Sequence, residues 1–172
     1  MAEERTDVSI RIAQLSYGIH EFHLSSEPSD LGLDANFRHS VEIDATLEKG
    51  SRQLLLTAKV STSGMFRCDR CTEEFEQPLT SKYMLVYMYS LDGPGADEQE
   101  DVRMITPETP SLVLTGDIRD TVMLSVPLKL LCRDDCRGLC PICGVDWNRQ
   151  KCSCAREEAD PRWDSLKKLL KN

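Results

Sequence analysis

The sequence predicts an α+β fold: an antiparallel β meander or partly open barrel, with short helices and a cysteine-rich C-terminal extension. Two observations predict it. Segments that alternate apolar and polar residues fill most of the first two-thirds of the 172 residues, and the eight cysteines fall into close pairs that continue into the last third. Hydrophobic residues make up 40% of the chain and charged residues 29%, which is typical of a globular protein.

Two strands are predicted near the N-terminus. Val8–Ile12 and His20–Leu24 both alternate apolar and polar residues, the period of a half-buried strand. The segment Ser25–Asn36 contains Pro28, Gly32 and several acidic residues, a composition typical of a loop or a short helical turn.

A meander is predicted to follow. Val41–Leu47 alternates and reaches the turn sequence Glu48–Ser51, after which Leu54–Ser61 forms the return strand. A third limb runs from Met65 into Cys68. The fourth limb, Phe75–Tyr89, is rich in aromatic residues and suits a central strand.

Two short helices are predicted. Asp117 has the character of an N-cap, and Pro127 ends the helix that follows it. The apolar stripe of this helix consists of Ile118, Thr121, Val122, Ser125 and Val126. Asp160–Pro161 begins a second helix, whose face is formed by Trp163, Leu166, Leu169 and Leu170. Core packing is the default interpretation of that face, and a partner-binding helix is the alternative.

These elements divide the chain into a β-rich core, residues 1–126, and a cysteine-rich extension with the C-terminal helix, residues 127–172. Within the core, residues 91–103 are acidic and contain Gly and Pro, which predicts a mobile loop because such a segment cannot bury apolar surface. A specific cation site is the alternative, but the spacing of the acidic residues does not follow that of a calcium-binding loop.

The charge of the chain argues against general electrostatic binding of nucleic acid, which needs clustered Lys and Arg. The net charge is −8. Residues 126–172 differ, because they carry 10 basic and 7 acidic side chains, a net of +3. Any contact with a polyanion is therefore expected in this segment, although a solvated surface of mixed charge is the default interpretation.

The sequence also predicts the compartment, and with it the chemistry of the cysteines. No stretch approaches the apolar length of a membrane span, and Met1–Arg5 lacks the basic start and apolar run of a secretory signal. We expect a cytoplasmic protein without membrane contact. Thiols stay reduced there, so the cysteines indicate metal binding rather than structural disulfides.

The spacing of the cysteines is typical of structural zinc sites. The pairs are Cys68–Cys71, Cys132–Cys136, Cys140–Cys143 and Cys152–Cys154. Zinc prefers four soft ligands in a tetrahedron, and thiolates a few residues apart can reach one ion from a tight turn. Cys68–Cys71 lies between two predicted strands, where a hairpin tip would present both sulfurs on one side. Gly144 permits the positive φ that a knuckle turn often needs.

Two groupings of these ligands are open. The preferred one places Cys68, Cys71, Cys140 and Cys143 around one structural Zn²⁺, and Cys132, Cys136, Cys152 and Cys154 around a second. Its rival builds a local site from C-terminal cysteines alone and leaves the first pair free or in a second ion. Each chain would thus hold one or two zinc ions, and Cys152–Cys154 is a cramped pair for one ion.

The sequence does not predict an enzyme. A catalytic CxxC usually opens a helix in a βαβ unit, and neither CxxC here does so. Catalytic zinc favours His and carboxylate ligands, whereas His20, His23 and His39 lie together near the N-terminus and have the character of surface residues. No P-loop, dinucleotide fingerprint or Ser/His/Asp pattern is present.

These residues together resemble the YceD family, bacterial and plastid proteins named for accumulation of large-subunit (23S) ribosomal RNA. The resemblance runs from Val41 to the C-terminus. It is carried by Cys68-Asp69-Arg70-Cys71, Phe75 and Pro78, the acidic stretch, Leu131–Gly144, Asn148 and Asp160–Trp163. It implies a role in making or stabilising this RNA, no known catalytic activity, and a metal that supports structure. The family positions it identifies are Cys68, Arg70, Cys71, Asp160, Pro161 and Arg162.

We therefore expect a non-catalytic factor for large-subunit biogenesis that acts by binding, without a small-molecule substrate. In one mode it binds rRNA through Arg70, Arg133, Arg137, Arg149, Lys151 and Arg156, as phosphate contacts near the knuckles. In the other, which the overall charge slightly favours, its acidic surface docks a basic ribosomal or assembly protein. A zinc- or thiol-based redox sensor and a general zinc-ribbon adaptor between proteins are the alternatives.

Overall fold

A computed structural model of the chain describes residues 7–90 and 102–154. In chain order its elements are β1 (Ser9–Arg11), β2 (Gly18–Ser26), β3 (Val41–Lys49), β4 (Gln53–Arg67), β5 (Glu74–Tyr89), β6 (Val102–Ile105), β7 (Ser111–Val113) and α1 (Thr115–Ser125). Strands β2 to β6 form one sheet in the order β2-β3-β4-β5-β6, and β1 pairs with β7. The predicted β-rich core is therefore present.

The sheet is mixed and open. Strands β2 to β5 are consecutive antiparallel neighbours, as the meander predicted, whereas β6 runs parallel to β5 and pairs with only its last four residues, Val86–Tyr89. In the described part of the chain β2 and β6 are the two edges, so the sheet does not close into a barrel.

The predicted limbs Leu54–Ser61 and Met65–Cys68 are one strand, and the prediction of a break between them is wrong. Gly64 lets β4 continue, because a Cβ there would lie 2.7 Å from a ring atom of Phe66. Gly64 also forms a β-bridge with Phe37, which lies in the loop before β3. The rings of Phe37 and Phe66 pack edge to face, with their centroids 6.0 Å apart. Strand β4 pairs with β3 only as far as Ser61 and then continues to Arg67.

The core lies on one face of the sheet. Along β3, alternate side chains are buried, Val41, Ile43, Ala45 and Leu47, while the residues between them face solvent. Helix α1 covers this inner face and packs Ile118 and Val122 against β4 and β5. The β1–β7 pair contributes further core residues, including Ile10 and Leu112.

Helix α1 begins earlier than predicted. Leu114, not Asp117, occupies the N-cap position, and Asp117 lies in the first turn. There its carboxylate accepts two hydrogen bonds from the guanidinium of Arg103 on β6, at 2.8 Å for the longer one. The ion pair ties the edge strand to the helix, which explains an acidic residue at this position better than capping does. The helix ends before Pro127, as predicted.

Two predicted elements fall wholly or mostly on residues that the structure does not describe. The acidic loop predicted over residues 91–103 lies outside the described residues up to Asp101, whereas Val102 and Arg103 belong to β6. The helix predicted after Asp160 lies outside them as well.

Among the described residues, no helix has the length and apolar character needed to cross a bilayer, and α1 has 11 residues.

Candidate metal centre

The long β4–β5 hairpin carries the first cysteine pair at its tip. The turn Cys68–Glu73 is closed by two backbone hydrogen bonds, Cys68 N–H to the Glu73 carbonyl and Thr72 N–H to the Cys68 carbonyl, both 2.9 Å. Thr72 adopts a φ of 61° to complete it. Both Cys68 and Cys71 are buried. The position predicted for this pair, between two strands, is confirmed.

The tip and the C-terminal segment together form a first cluster, which we call the hairpin quartet: Cys68, Cys71, Cys132 and Cys136. Its four sulfurs lie within 4.8 Å of one another. The Cys68–Cys136 and Cys71–Cys132 Sγ distances are 3.7 and 3.6 Å. Tetrahedral zinc with Zn–S bonds of about 2.3 Å would separate its sulfurs by about 3.8 Å, so this arrangement fits one such ion.

A second cluster, the knuckle quartet, consists of Cys140, Cys143, Cys152 and Cys154, whose sulfurs also lie within 4.8 Å of one another. A tight turn brings its first two members together: Cys140 N–H donates to Val145 O at 2.8 Å, and Gly144 N–H donates to Cys140 O at 2.9 Å. Gly144 has a φ of +73°, the left-handed conformation expected for it. Cys152 and Cys154, although only two residues apart, both reach this cluster.

The structure groups the cysteines differently from the preferred sequence-based grouping. Cys68 and Cys71 lie with Cys132 and Cys136, not with Cys140 and Cys143. The reason is the path of the C-terminal segment along the hairpin tip. Asp69 exchanges hydrogen bonds with Leu130 at 2.7 and 2.8 Å, and Leu139 N–H donates to the Arg70 carbonyl at 3.1 Å. The stretch between Leu130 and Leu139, which is the one held against the tip, contains Cys132 and Cys136.

Backbone donors favour a thiolate in each quartet. Burial alone would raise the pKa of Cys68, but hydrogen bonds from backbone groups of Cys132, Cys71 and Arg70 lower it to about 6. Backbone hydrogen bonds from Cys143 and Ile142 lower the pKa of Cys140 to about 6. Burial raises the pKa of the Cys132 thiol to about 12, and contact with Cys143 together with burial raises the pKa of the Cys154 thiol to about 12, so a bound cation must displace their protons.

Two side chains that the sequence reasoning did not assign to the sites donate hydrogen bonds to cysteine sulfurs. Asn148 Nδ2 lies 3.4 Å from Cys136 Sγ, and Trp147 Nε1 lies 3.3 Å from Cys152 Sγ. Such donors orient ligands and stabilise their negative charge. The neighbouring residues Trp147 and Asn148 therefore serve different quartets. Their position inside the cysteine-rich stretch is a signal for both, and the family resemblance also pointed to Asn148.

The basic residues expected to contact a partner divide into two groups. Arg70 donates to the carbonyls of Cys136 and Asp134, at 2.6 and 3.3 Å. Arg149 pairs with Glu73 and Asp146, at 2.5 and 3.5 Å, and Arg133 pairs with Asp135 at 3.4 Å. The side chains of Arg137 and Lys151 are exposed and have no ion-pair partner in the described part of the chain. Arg156 lies outside the described residues.

Arg70 thus has a structural role in docking the C-terminal segment. We expect Arg70→Ala to lower the free energy of unfolding by about 1.5–3 kcal/mol, because hydrogen bonds from a charged donor are lost and two carbonyls lose their partner. Denaturant unfolding of the zinc-loaded protein measures it. Arg67→Ala, at the end of β4, is the matched control: its 3.4 Å pair with Glu74 is exposed, so we expect a change below about 1 kcal/mol. Equal losses in both variants would contradict this role.

The fold and the two quartets define a small β-sheet protein with two clusters of four cysteines that could hold metal ions, compatible with zinc. The model of one family, described as "Large ribosomal RNA subunit accumulation protein YceD", matches residues 56–170. The chain belongs to this family. The resemblance predicted from the sequence is therefore confirmed.

Individual relatives agree with the family. A Mycobacterium tuberculosis protein named only as uncharacterized is 29% identical, over 76% of this chain and 62% of its own length. The Arabidopsis thaliana protein named "Large ribosomal RNA subunit accumulation protein YCED homolog 1, chloroplastic" is 25% identical, over 75% and 48%. Uncharacterized protein YlbN of Bacillus subtilis is 22% identical, over 85% and 83%. The chain therefore spans about three-fifths of the mycobacterial relative. No solved structure matches it significantly.

Proposed function

We propose that this chain supports accumulation of large-subunit ribosomal RNA by binding that RNA, without catalysis, and that two structural zinc ions hold its binding surface in place. The family match supports the process. The observation that carries the mode of action is the docking of the C-terminal segment on the hairpin tip at the hairpin quartet, next to a second quartet within that segment. We place this activity in the cytoplasm, or in the chloroplast for the plant relative, as that protein's name states.

Zinc fits the donor set better than other common ions. All eight donors are thiolates, which exclude calcium and magnesium, and two closed sets of four match structural rather than catalytic zinc. Zinc in the hairpin quartet would cross-link segments far apart in sequence, and zinc in the knuckle quartet would close the local loop between Cys140 and Cys154. The chain itself supplies the remaining contacts, from Arg70, Asp69 and Asn148, which orient the segment around the hairpin quartet.

The docked segment concentrates positive charge on a chain that is otherwise acidic. Between residues 126 and 154 the cations Lys129, Arg133, Arg137, Arg149 and Lys151 outnumber the acids Asp134, Asp135 and Asp146. Because Arg133 and Arg149 are in ion pairs, only some of these cations can contact phosphate. We therefore expect moderate affinity for RNA, with a shallow dependence on salt. This surface suits a local contact with structured or single-stranded RNA, not wrapping of a long duplex.

A basic protein is a second candidate partner, favoured by the outer face of the sheet. The outward side chains of β2 and β3 include Glu21, Glu42, Asp44 and Glu48 and no Lys or Arg. A flat acidic face of this kind would steer association with a Lys- or Arg-rich surface. The two partners would occupy different parts of the molecule, so binding one does not exclude binding the other.

Affinity for RNA measured against salt tests the proposal. The zinc-loaded protein is expected to bind transcribed fragments of large-subunit rRNA with an affinity that falls as salt rises, and to lose this binding when zinc is removed. Fragments of small-subunit rRNA of equal length are the control. In cells depleted of the protein, large-subunit rRNA should fall relative to small-subunit rRNA. Absence of RNA binding, with capture of a basic protein through the acidic face, would replace this mode with the second.

A further inference from the structure

A cavity beside the knuckle quartet combines an aromatic ring with two cations. Its volume is about 570 Å³, and its lining consists of Arg137, Trp147, Lys151, Cys152 and Cys154. Small-ligand sites have volumes on the order of 300–1,000 Å³, so a single nucleotide would fit. Among the residues that the structure describes, no Asp or Glu lines it.

The two cations of this cavity are available to an anion. Arg70, Arg133 and Arg149 are committed to carbonyls or carboxylates of the chain, whereas Arg137 and Lys151 are exposed without such partners among residues 7–90 and 102–154. Each can therefore meet an anion without first breaking an ion pair. On a protein with a net charge of −8, a cavity with two cations outside ion pairs is a local attraction for a phosphate group.

The aromatic ring is held in place by the same turn that positions Arg137. Trp147 N–H donates to the Gly138 carbonyl at 3.0 Å, and Arg137 N–H donates to Asn148 Oδ1 at 2.8 Å. The indole Nε1–H of Trp147 donates to Cys152 Sγ at 3.3 Å, which anchors one edge of the ring. The ring is half-buried. A fixed, partly exposed ring loses little conformational entropy when a flat ligand stacks on it.

We propose that this cavity binds a single-stranded RNA segment, with one base stacked on Trp147 and the adjoining phosphates on Arg137 and Lys151. This inference rests on the proposed function and names the element of rRNA that is recognised. Stacking of unpaired bases on aromatic rings, with cations on the backbone, is the common mode of single-strand recognition. An acidic peptide would use the two cations but would not use the flat face of the ring.

Anisotropy of a labelled single-stranded oligouridine tests the proposal with the zinc-loaded full chain. We expect Arg137→Gln with Lys151→Gln to weaken binding at least tenfold and to flatten the slope of log affinity against log salt by about 1.4, since each phosphate contact on a single strand contributes about 0.7. Arg119→Gln with Lys59→Gln removes the same charge outside the cavity and should leave both quantities nearly unchanged. Trp147→Ala should weaken binding about 10- to 100-fold, and Trp147→Phe far less.

Two further readouts separate the proposal from its rivals. The chain has two tryptophans, so in a Trp163→Phe background the fluorescence of Trp147 should be quenched by oligouridine and not by RNA duplex. The glutamine variants should keep their zinc. Loss of zinc from them would mean that Arg137 and Lys151 only balance the charge of the thiolates, and tighter binding of poly-glutamate than of oligouridine would assign the cavity to an acidic peptide.

Loss of zinc from the glutamine variants, or tighter binding of poly-glutamate, overturns the inference. It is also overturned if the cavity variants bind oligouridine as tightly as the wild-type protein does. The proposed function survives the last case if the wild-type protein still binds large-subunit rRNA fragments. It fails separately if the wild-type protein binds no RNA.

Discussion

Serine in place of both Cys132 and Cys136 is expected to release one of two zinc ions per chain and to free the C-terminal segment from the hairpin tip. The hairpin quartet would retain only Cys68 and Cys71, too few ligands for a closed site. Structural zinc in small domains contributes about 10–16 kcal/mol of apparent binding free energy at neutral pH, so this variant should show the largest effect of any described here. Elemental analysis gives the zinc content, and limited proteolysis should detect new cleavage between α1 and Cys140.

The double variants also identify which cysteines share an ion. Cys68→Ser with Cys71→Ser should remove the same ion as the first variant, so all four substitutions together still leave one zinc per chain. Cys140→Ser with Cys143→Ser should remove the other ion and spare the hairpin quartet. If instead the combination of Cys68, Cys71, Cys140 and Cys143 substitutions leaves one ion, the grouping preferred from sequence is correct. A wild-type chain purified under reducing conditions without metal would remove the zinc proposal altogether.

Alanine at Gly138 is expected to destabilise the docked segment far more than alanine at Gly144. Both glycines have left-handed φ values, +74° and +73°, so each substitution costs about 1–2 kcal/mol of backbone strain. At Gly138 the new Cβ would also lie 2.9 Å from the Arg70 carbonyl oxygen, whereas at Gly144 it would meet nothing within 4 Å. We expect Gly138→Ala to lose about 3 kcal/mol or more in total, because backbone at the hairpin tip must move.

Denaturant unfolding and the rate of zinc transfer to a chelator measure this difference. Gly144→Ala is the matched control, since it has the same backbone strain without the close contact. Gly138→Ala should release one zinc faster than the wild type, and Gly144→Ala should change release from the other quartet only modestly. Equal effects of the two variants would contradict the close approach of residue 138 to the hairpin tip.

The sequence predicted those parts of the fold that local pattern determines. The alternation of Val41–Leu47 reflects a sheet with one buried face, so β3 and its neighbours could be identified. Strands β6 and β7 were missed because they have four and three residues and form only by pairing with distant strands. The limbs on both sides of Gly64 could not be joined from the local pattern, because only the folded strand shows that Gly64 accommodates the ring of Phe66.

The candidate site shows the same division. Spacing predicted all eight cysteines as candidate ligands and placed the first pair at a hairpin tip, because these properties depend on neighbours in the chain. Spacing could not show which cysteines of the C-terminal segment join Cys68 and Cys71, because they are 61 or more residues away in sequence. That grouping depends on the hydrogen bonds that Asp69 and Arg70 make to the C-terminal segment. Nor could spacing separate Arg137 and Lys151 from cations that pair with nearby acids, since those pairs exist only in the folded chain.

The short pairing of β6 has a consequence for self-association. Beyond Val86–Tyr89, the side of β5 away from β4 has no strand neighbour among the described residues, and an unpaired border of this length could template another chain. Pro78 interrupts it: proline has no N–H to offer, and its carbonyl already accepts a hydrogen bond from Gln77 Nε2 at 3.1 Å. The charged neighbours Glu74, Glu76 and Lys82 further discourage intermolecular strand addition, so the long hairpin can present the cysteines at its tip without inviting strand exchange along its border.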